Sequence, residues 1–167
     1  MVRIAIAILA AFFVFTGAIA AQDEGTYLIK NLNSDKLLAV DEAGTKIVQD
    51  DATKDKPCVW KLVKTEGEWF KVVDVKTGKV LTAPKFSTDA GASQALLEKD
   101  NGTKNQEWSF DKFSLKGTQY LLIKSKSDKM ILDVQDRSKD AGAHVIHWPL
   151  NNKGDRKNQL WVLEPTK

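Results

Sequence analysis

The sequence predicts an all-β chain built from three pseudo-symmetric, four-stranded repeats, and three observations carry that prediction. Its apolar residues fall in short extended runs, with no long stretch of helical period to compete with them. One order of strand, turn and strand occurs three times. Each occurrence closes on a tryptophan: Trp60, Trp108 or Trp161.

The repeat emerges when Tyr27, Phe70 and Tyr120 are set in register. Nine positions on stand Lys36, Lys79 and Lys129, each preceded by turn residues, Ser34-Asp35, Thr77-Gly78 and Ser127-Asp128. The segments before those turns, Tyr27 to Lys30, Phe70 to Val73 and Tyr120 to Ile123, are extended in pattern. The closing tryptophan follows the register start by 33, 38 and 41 positions. With about four strands each, they occupy roughly residues 26–66, 67–116 and 117–164 of one domain over 26–164. No single unit can bury its own apolar face. Three sharing one core describe a β-trefoil.

Ahead of the repeats, Met1 to Ala20 carries Arg3 as its one charge, an apolar run from Ile4 to Phe15, and small residues before Gln22-Asp23-Glu24. This pattern predicts a secretory signal peptide over residues 1–20 and an extracellular mature chain. A membrane anchor is the competing reading, but the run is short for a span and no basic cluster follows it. Without Arg3 the formal charge of +3 becomes +2, with lysines and acids interspersed. That balance gives no reason to expect nucleic acid or an anionic membrane as partner. The single cysteine, Cys58, excludes an intrachain disulfide. Beside Val59 and Trp60 it is expected to be a buried thiol, with pairing between two chains as the alternative.

The stretch from Met130 to Trp161 concentrates the chemistry. A carboxylate, Asp133, ends an apolar strand; an indole, Trp148, ends the next; and the amides Asn158-Gln159 precede a third. A flat ring face suits the apolar side of a pyranose, while the carboxylate and amides suit its hydroxyls.

Asn105-Gln106-Glu107-Trp108 and Asn158-Gln159-Leu160-Trp161 resemble the Gln-x-Trp motif of the ricin B-type trefoil lectins, over about residues 26 to 164. The resemblance implies that Trp60, Trp108 and Trp161 pack in a common core and that Gln106 and Gln159 tie loops to backbone. The first repeat departs from the motif with Pro57-Cys58-Val59-Trp60. The resemblance also implies a sugar cleft formed by the aspartate closing the second strand, the aromatic ending the third, and the asparagine of the motif. In the third repeat these fall on Asp133, Trp148 and Asn158, with Gln159 as support. In the second they read Thr82, Leu97 and Asn105; in the first, Ala39, Asp50 or a neighbour, and Pro57.

On this reading Asp133 accepts from two adjacent hydroxyls. Asn158 gives a donor and an acceptor, and Trp148 covers the ring. Ile146 stands where the family often has a polar residue, and Asn151 is the candidate to supply the missing bond. The plainer alternatives are that Asp133 caps a turn and Trp148 lies in the core. Pro149 and the polar loop from Leu150 to Lys157 favour an indole at least half exposed. Replacing Asp133 or Trp148 with alanine is then expected to spare folding.

Other chemistry finds no support. His144 and His147, three apart on a strand, face opposite ways and make a poor metal pair; both read as loop-edge residues. No catalytic constellation, cofactor motif or metal set is present. Asn101-Gly102-Thr103 is an N-glycosylation sequon. The expected function is a secreted, non-enzymatic lectin for galactose-type or related sugars, acting on glycans or glycoproteins with self-association as one source of avidity. The alternative is a trefoil that binds protein, such as a secreted protease inhibitor, with an idle cleft.

Overall fold

A computed structural model of the chain describes residues 23–53, 58–85 and 93–166. The expected signal peptide and Pro57 lie outside the described residues. The first repeat contributes β1 (Gly25–Asn31), β2 (Leu37–Val40), β3 (Ile47–Asp50) and β4 (Val59–Lys64). The second contributes β5 (Phe70–Asp74), β6 (Val80–Thr82), β7 (Leu96–Glu98) and β8 (Trp108–Leu115). The third contributes β9 (Thr118–Ser125), β10 (Ile131–Val134), β11 (Val145–Trp148) and β12 (Trp161–Pro165).

Antiparallel pairing runs β1–β4–β5–β8–β9–β12 and back to β1, closing these strands into a barrel without a free edge. The other strands form the hairpins β2–β3, β6–β7 and β10–β11, which meet through bridges at Lys46 and Leu96, Val48 and His144, and Gln94 and Ile146. This is a β-trefoil. Among the described residues no helix is long and apolar enough to cross a membrane.

The closing tryptophans hold each hairpin to the barrel in the same way. The indole nitrogens of Trp60, Trp108 and Trp161 donate to the carbonyls of Leu38, Leu81 and Leu132 at 2.8, 3.0 and 3.1 Å. All three rings are buried, in one cluster with Ile29, Val72 and Ile123. Indole suits this position because it fills volume and still satisfies a strand carbonyl.

The third repeat sits one residue out of the register read from sequence. Tyr27 pairs with Trp60 and Phe70 with Trp108, but the partner of Trp161 is Leu121, not Tyr120. Turn bonds agree: the amides of Asn31, Asp74 and Ser125 donate to the carbonyls of Lys36, Lys79 and Met130. A one-residue slip along a strand exchanges its faces. Tyr120 accordingly packs outside the barrel with Phe113, Leu122, Ile131 and Leu160. The left-handed turn position is Asp35 (φ 59°), Gly78 (φ 70°) and Lys129 (φ 65°). Only the glycine adopts it without a steric penalty.

Two further expectations change. Cys58 is partly exposed rather than buried. His147 is not a loop-edge residue: it is fully buried in β11, with Nε2 3.0 Å from Asp128 Oδ2 and Nδ1 3.2 Å from the Ser93 carbonyl. His144 is exposed, and no group of three or more possible ligands is placed to hold a metal among the described residues.

Candidate functional site

Strand alternation in the β10–β11 hairpin sorts its residues onto two faces. Leu132, Val134 and Val145 point into the core. Asp133, Ile146 and Trp148 instead line a cavity of about 540 Å³. In the ladder Asp133 lies opposite Ile146 and Ile131 opposite Trp148. The carboxylate and the indole that sequence reasoning selected therefore share one cleft. Asn158, Gln159 and Asn151 line it too.

A short 3-10 turn, Lys157–Gln159, brings both amides beneath Asp133. Asn158 Nδ2 donates to Asp133 Oδ1 at 2.7 Å and to the Val134 carbonyl at 3.1 Å. Gln159 Nε2 donates to Asp133 Oδ2 at 2.8 Å and to the Pro149 carbonyl at 2.9 Å, while its Oε1 accepts the Asn151 amide at 2.9 Å. Each amide nitrogen has two hydrogens, and both are used. Asn158 consequently has no donor left for a ligand, contrary to the sequence expectation. Its Oδ1 is a buried acceptor without a partner among the described residues. Gln159 is wholly a positioning residue. The Asn151 side chain is also engaged in its own loop, Oδ1 accepting from the Lys153 amide at 3.0 Å and Nδ2 donating to the Asp155 carbonyl at 3.3 Å. It shapes the rim, and nothing marks it as a replacement for the bond lost at Ile146.

Trp148 is partly buried, less exposed than the half expected from its polar loop. Two residues on, Leu150 is partly buried and packs against the outer apolar cluster rather than pointing into solvent. Position 148 is nonetheless no core site. Its counterparts in the other hairpins, each opposite the residue two before the aspartate position, are Asp50 and Glu98. The second-repeat counterpart is therefore Glu98, not Leu97, which is buried at 3 % exposure and matches His147.

The second repeat reproduces the scaffold without the carboxylate. Gln106 Nε2 donates to Thr82 Oγ1 at 3.1 Å and to the Lys99 carbonyl at 2.9 Å, its Oε1 accepts from the Asn101 amide at 2.8 Å, and Asn105 Nδ2 donates to the Ala83 carbonyl at 2.9 Å. Gln106 and Asn105 are structural. Asn101 is exposed, and its Oδ1 accepts from the Thr103 amide at 3.0 Å.

Asp133 is only 6 % exposed. Burial pushes its carboxyl up to about 6, while the donors Gln159 and Asn158, and Arg137 nearby, work in the opposite direction. The folded state thus binds this proton more tightly than the unfolded chain does. Asp133 favours folding most below the unfolded value of 3.8, and that contribution is lost as pH rises through about 6. Relative to Asp133→Asn, the wild type is expected to gain about 3 kcal/mol of unfolding free energy between pH 7 and pH 3, by the usual pKa conversion. Denaturant titrations of both proteins across that range check this; a constant difference would refute it.

Sequence reasoning missed Gln135, Asp136, Arg137 and Lys153, which also line the cleft. The polar Gln135-Asp136-Arg137 run directly after Val134 was the available signal.

A family model described as "Ricin-type beta-trefoil lectin domain-like" matches residues 12–97 and 104–167. No curated protein matches the chain in sequence. Among solved structures, the designed three-fold symmetric protein ThreeFoil is 27% identical with a TM-score of 0.70, covering 83% of this chain and 97% of its own. An exo-β-1,3-galactanase from Clostridium thermocellum is 27% identical with a TM-score of 0.71; the match covers 88% of this chain but 31% of the enzyme. The Rhizoctonia solani agglutinin is 20% identical with a TM-score of 0.67, over 89% of this chain and 100% of its own.

Proposed function

The chain belongs to the ricin-type β-trefoil lectin-like domain family, and on that footing we propose that it is a secreted, non-enzymatic carbohydrate-binding protein with one sugar site, in its third repeat. The observation that carries the reading is the pairing of Asp133 with Trp148 in a single cleft, the carboxylate held from below by two amides. A pyranose laid on the indole would direct hydroxyls to the free lone pairs of Asp133. A hydroxyl donated to Asn158 Oδ1 would relieve a buried acceptor whose isolation costs about 1–3 kcal/mol. Asp50 and Glu98, where the other hairpins would need an aromatic, supply no ring platform.

The proposed ligand is a galactose-type sugar at the end of a glycan or glycoprotein chain. Acceptors grouped below an aromatic face suit a ring with adjacent hydroxyls, and a relative at 27% identity is a galactanase. Secretion rests on the signal-peptide pattern of Met1 to Ala20. A single open site gives weak monovalent binding, so clustered glycans or self-association would supply avidity.

A glycan array followed by calorimetry with galactose and N-acetylgalactosamine tests the proposal. Binding that disappears in Trp148→Ala is expected. Silence on every glycan would refute the reading and turn attention to protein partners. Sugar affinity should also fall below about pH 6, where Asp133 takes up its proton and loses acceptor capacity; affinity that stays flat down to pH 4.5 would count against that role.

A further inference from the structure

We propose that the third-repeat cleft prefers glycans bearing an acidic group, a carboxylate or a sulfate, beside the sugar held by Trp148 and Asp133, with Arg137 and Lys153 as the specificity-determining residues. The inference rests on the sugar-binding reading above and names the class of ligand that site takes.

The argument begins with what the cleft floor cannot offer. Both hydrogens of Asn158 Nδ2 and both of Gln159 Nε2 are spent inside the protein, and Asp133 is an acceptor when ionised. This floor can receive hydroxyl hydrogens but has no amide hydrogen to give. Strong donors enter the same cavity from Arg137 and Lys153. Both residues are exposed, and neither has an ion-pair partner among the described residues. Asp136 is the one exposed acidic residue on that rim, and its Oδ2 accepts from Gln135 Nε2 at 3.3 Å. The wall thus separates into a buried anion that takes neutral hydroxyls and an outer rim where two cations outnumber one acid. An acidic group beside the bound ring is what such a rim recognises, and a guanidinium can grip it through two parallel hydrogen bonds.

The main chain that presents the exposed Arg137 side chain is held in place. Asp136 and Arg137 are consecutive non-glycine residues in the left-handed region, at φ 56° and 55°. Each such residue costs roughly 1–2 kcal/mol by local sterics, so surrounding contacts must maintain the conformation. Those contacts come from the first repeat. Asn33 Nδ2 donates to the Arg137 carbonyl at 2.8 Å, and buried Gln49 donates through Nε2 to the carbonyls of Ser138 and Asp140 at 3.1 and 2.9 Å. Gln49 Oε1 is itself fixed by Ser34 Oγ at 2.7 Å. The repeat that has Ala39 where the third has Asp133 thereby braces the rim of the third. The Lys153 main chain is anchored on its loop by the hydrogen bond that its backbone N–H donates to Asn151 Oδ1.

The test uses the full mature chain and three matched probes: N-acetyllactosamine, its sulfated form and its sialylated form, measured by calorimetry in low salt and in 0.5 M salt. At least one acidic form is expected to bind roughly three- to tenfold more tightly than the neutral form, with the margin shrinking in high salt because exposed charges are screened. Which form gains identifies sulfate or carboxylate as the group recognised. In Arg137→Gln combined with Lys153→Gln, checked for folding by thermal melting, the acidic-to-neutral ratio should fall to about one. Equal affinities for all three probes in the wild type would overturn the inference while leaving sugar binding intact. So would a ratio that persists in the double variant. Absence of binding to all three probes would overturn the inference, and the sugar-binding reading would then stand or fall on the glycan array.

Discussion

Trp161→Ala is expected to remove about 3–5 kcal/mol of unfolding free energy, as truncation of a large buried aromatic does. The ring has no exposure, and it joins the core to β10, whose Leu132 carbonyl accepts its indole hydrogen at 3.1 Å. Alanine would leave both a cavity and an orphaned carbonyl on the strand that carries Asp133. For a chain of this length such a loss corresponds to a drop of roughly 6–20 °C in Tm. Trp161→Phe refills most of the space but still strands the carbonyl, so it should cost about 1–3 kcal/mol. Guanidinium unfolding of the wild type and both variants orders them; a loss under 1 kcal/mol for alanine would show that the cluster collapses around the gap.

The second large effect is on binding, and the structure identifies the right substitution. Asp133→Ala is not the neutral change that sequence reasoning expects, because it would strand one hydrogen on Asn158 Nδ2 and one on Gln159 Nε2 in a buried place. Asp133→Thr copies the second repeat, where buried Thr82 receives through Oγ1 the equivalent bond from Gln106 at 3.1 Å. Threonine should therefore keep a partner for Gln159, leave only the Asn158 hydrogen to be satisfied, and cost less stability than alanine while removing the charged acceptor. Losing a hydrogen bond to a charged group typically costs about 1.5–3 kcal/mol, so glycan affinity should fall by roughly tenfold or more. For a weak site that means binding too slight to detect by calorimetry. Retention of glycan binding in a folded Asp133→Thr protein would remove the carboxylate from the mechanism.

Much of this was readable before any coordinates. Short apolar runs and three spaced tryptophans imply three strand-rich units, since an indole closing every unit has to pack against something common to all three. Asp133, Trp148, Asn158 and Gln159 are legible because their side-chain chemistry is a local property and the Gln-x-Trp resemblance implies the cleft they share. Register is not. Tyr120 shares its aromatic character with Tyr27 and Phe70, yet the pairing with Trp161 belongs to Leu121. The same one-residue ambiguity put Leu97 where Glu98 stands.

What the sequence by itself determined is the inventory: a β-rich chain in three parts, with one part equipped with an anion, a ring and two amides. Tertiary structure decided how that inventory is spent. It committed every hydrogen of Asn158 Nδ2 and Gln159 Nε2 to internal acceptors, buried Asp133 so that its proton affinity rose, and set Asn33 and Gln49 of the first repeat against the rim of the third. The reason is physical. Residue type and spacing fix what a group can donate or accept, but only contacts between segments that lie from ten to about a hundred positions apart fix which of those capacities remain unused.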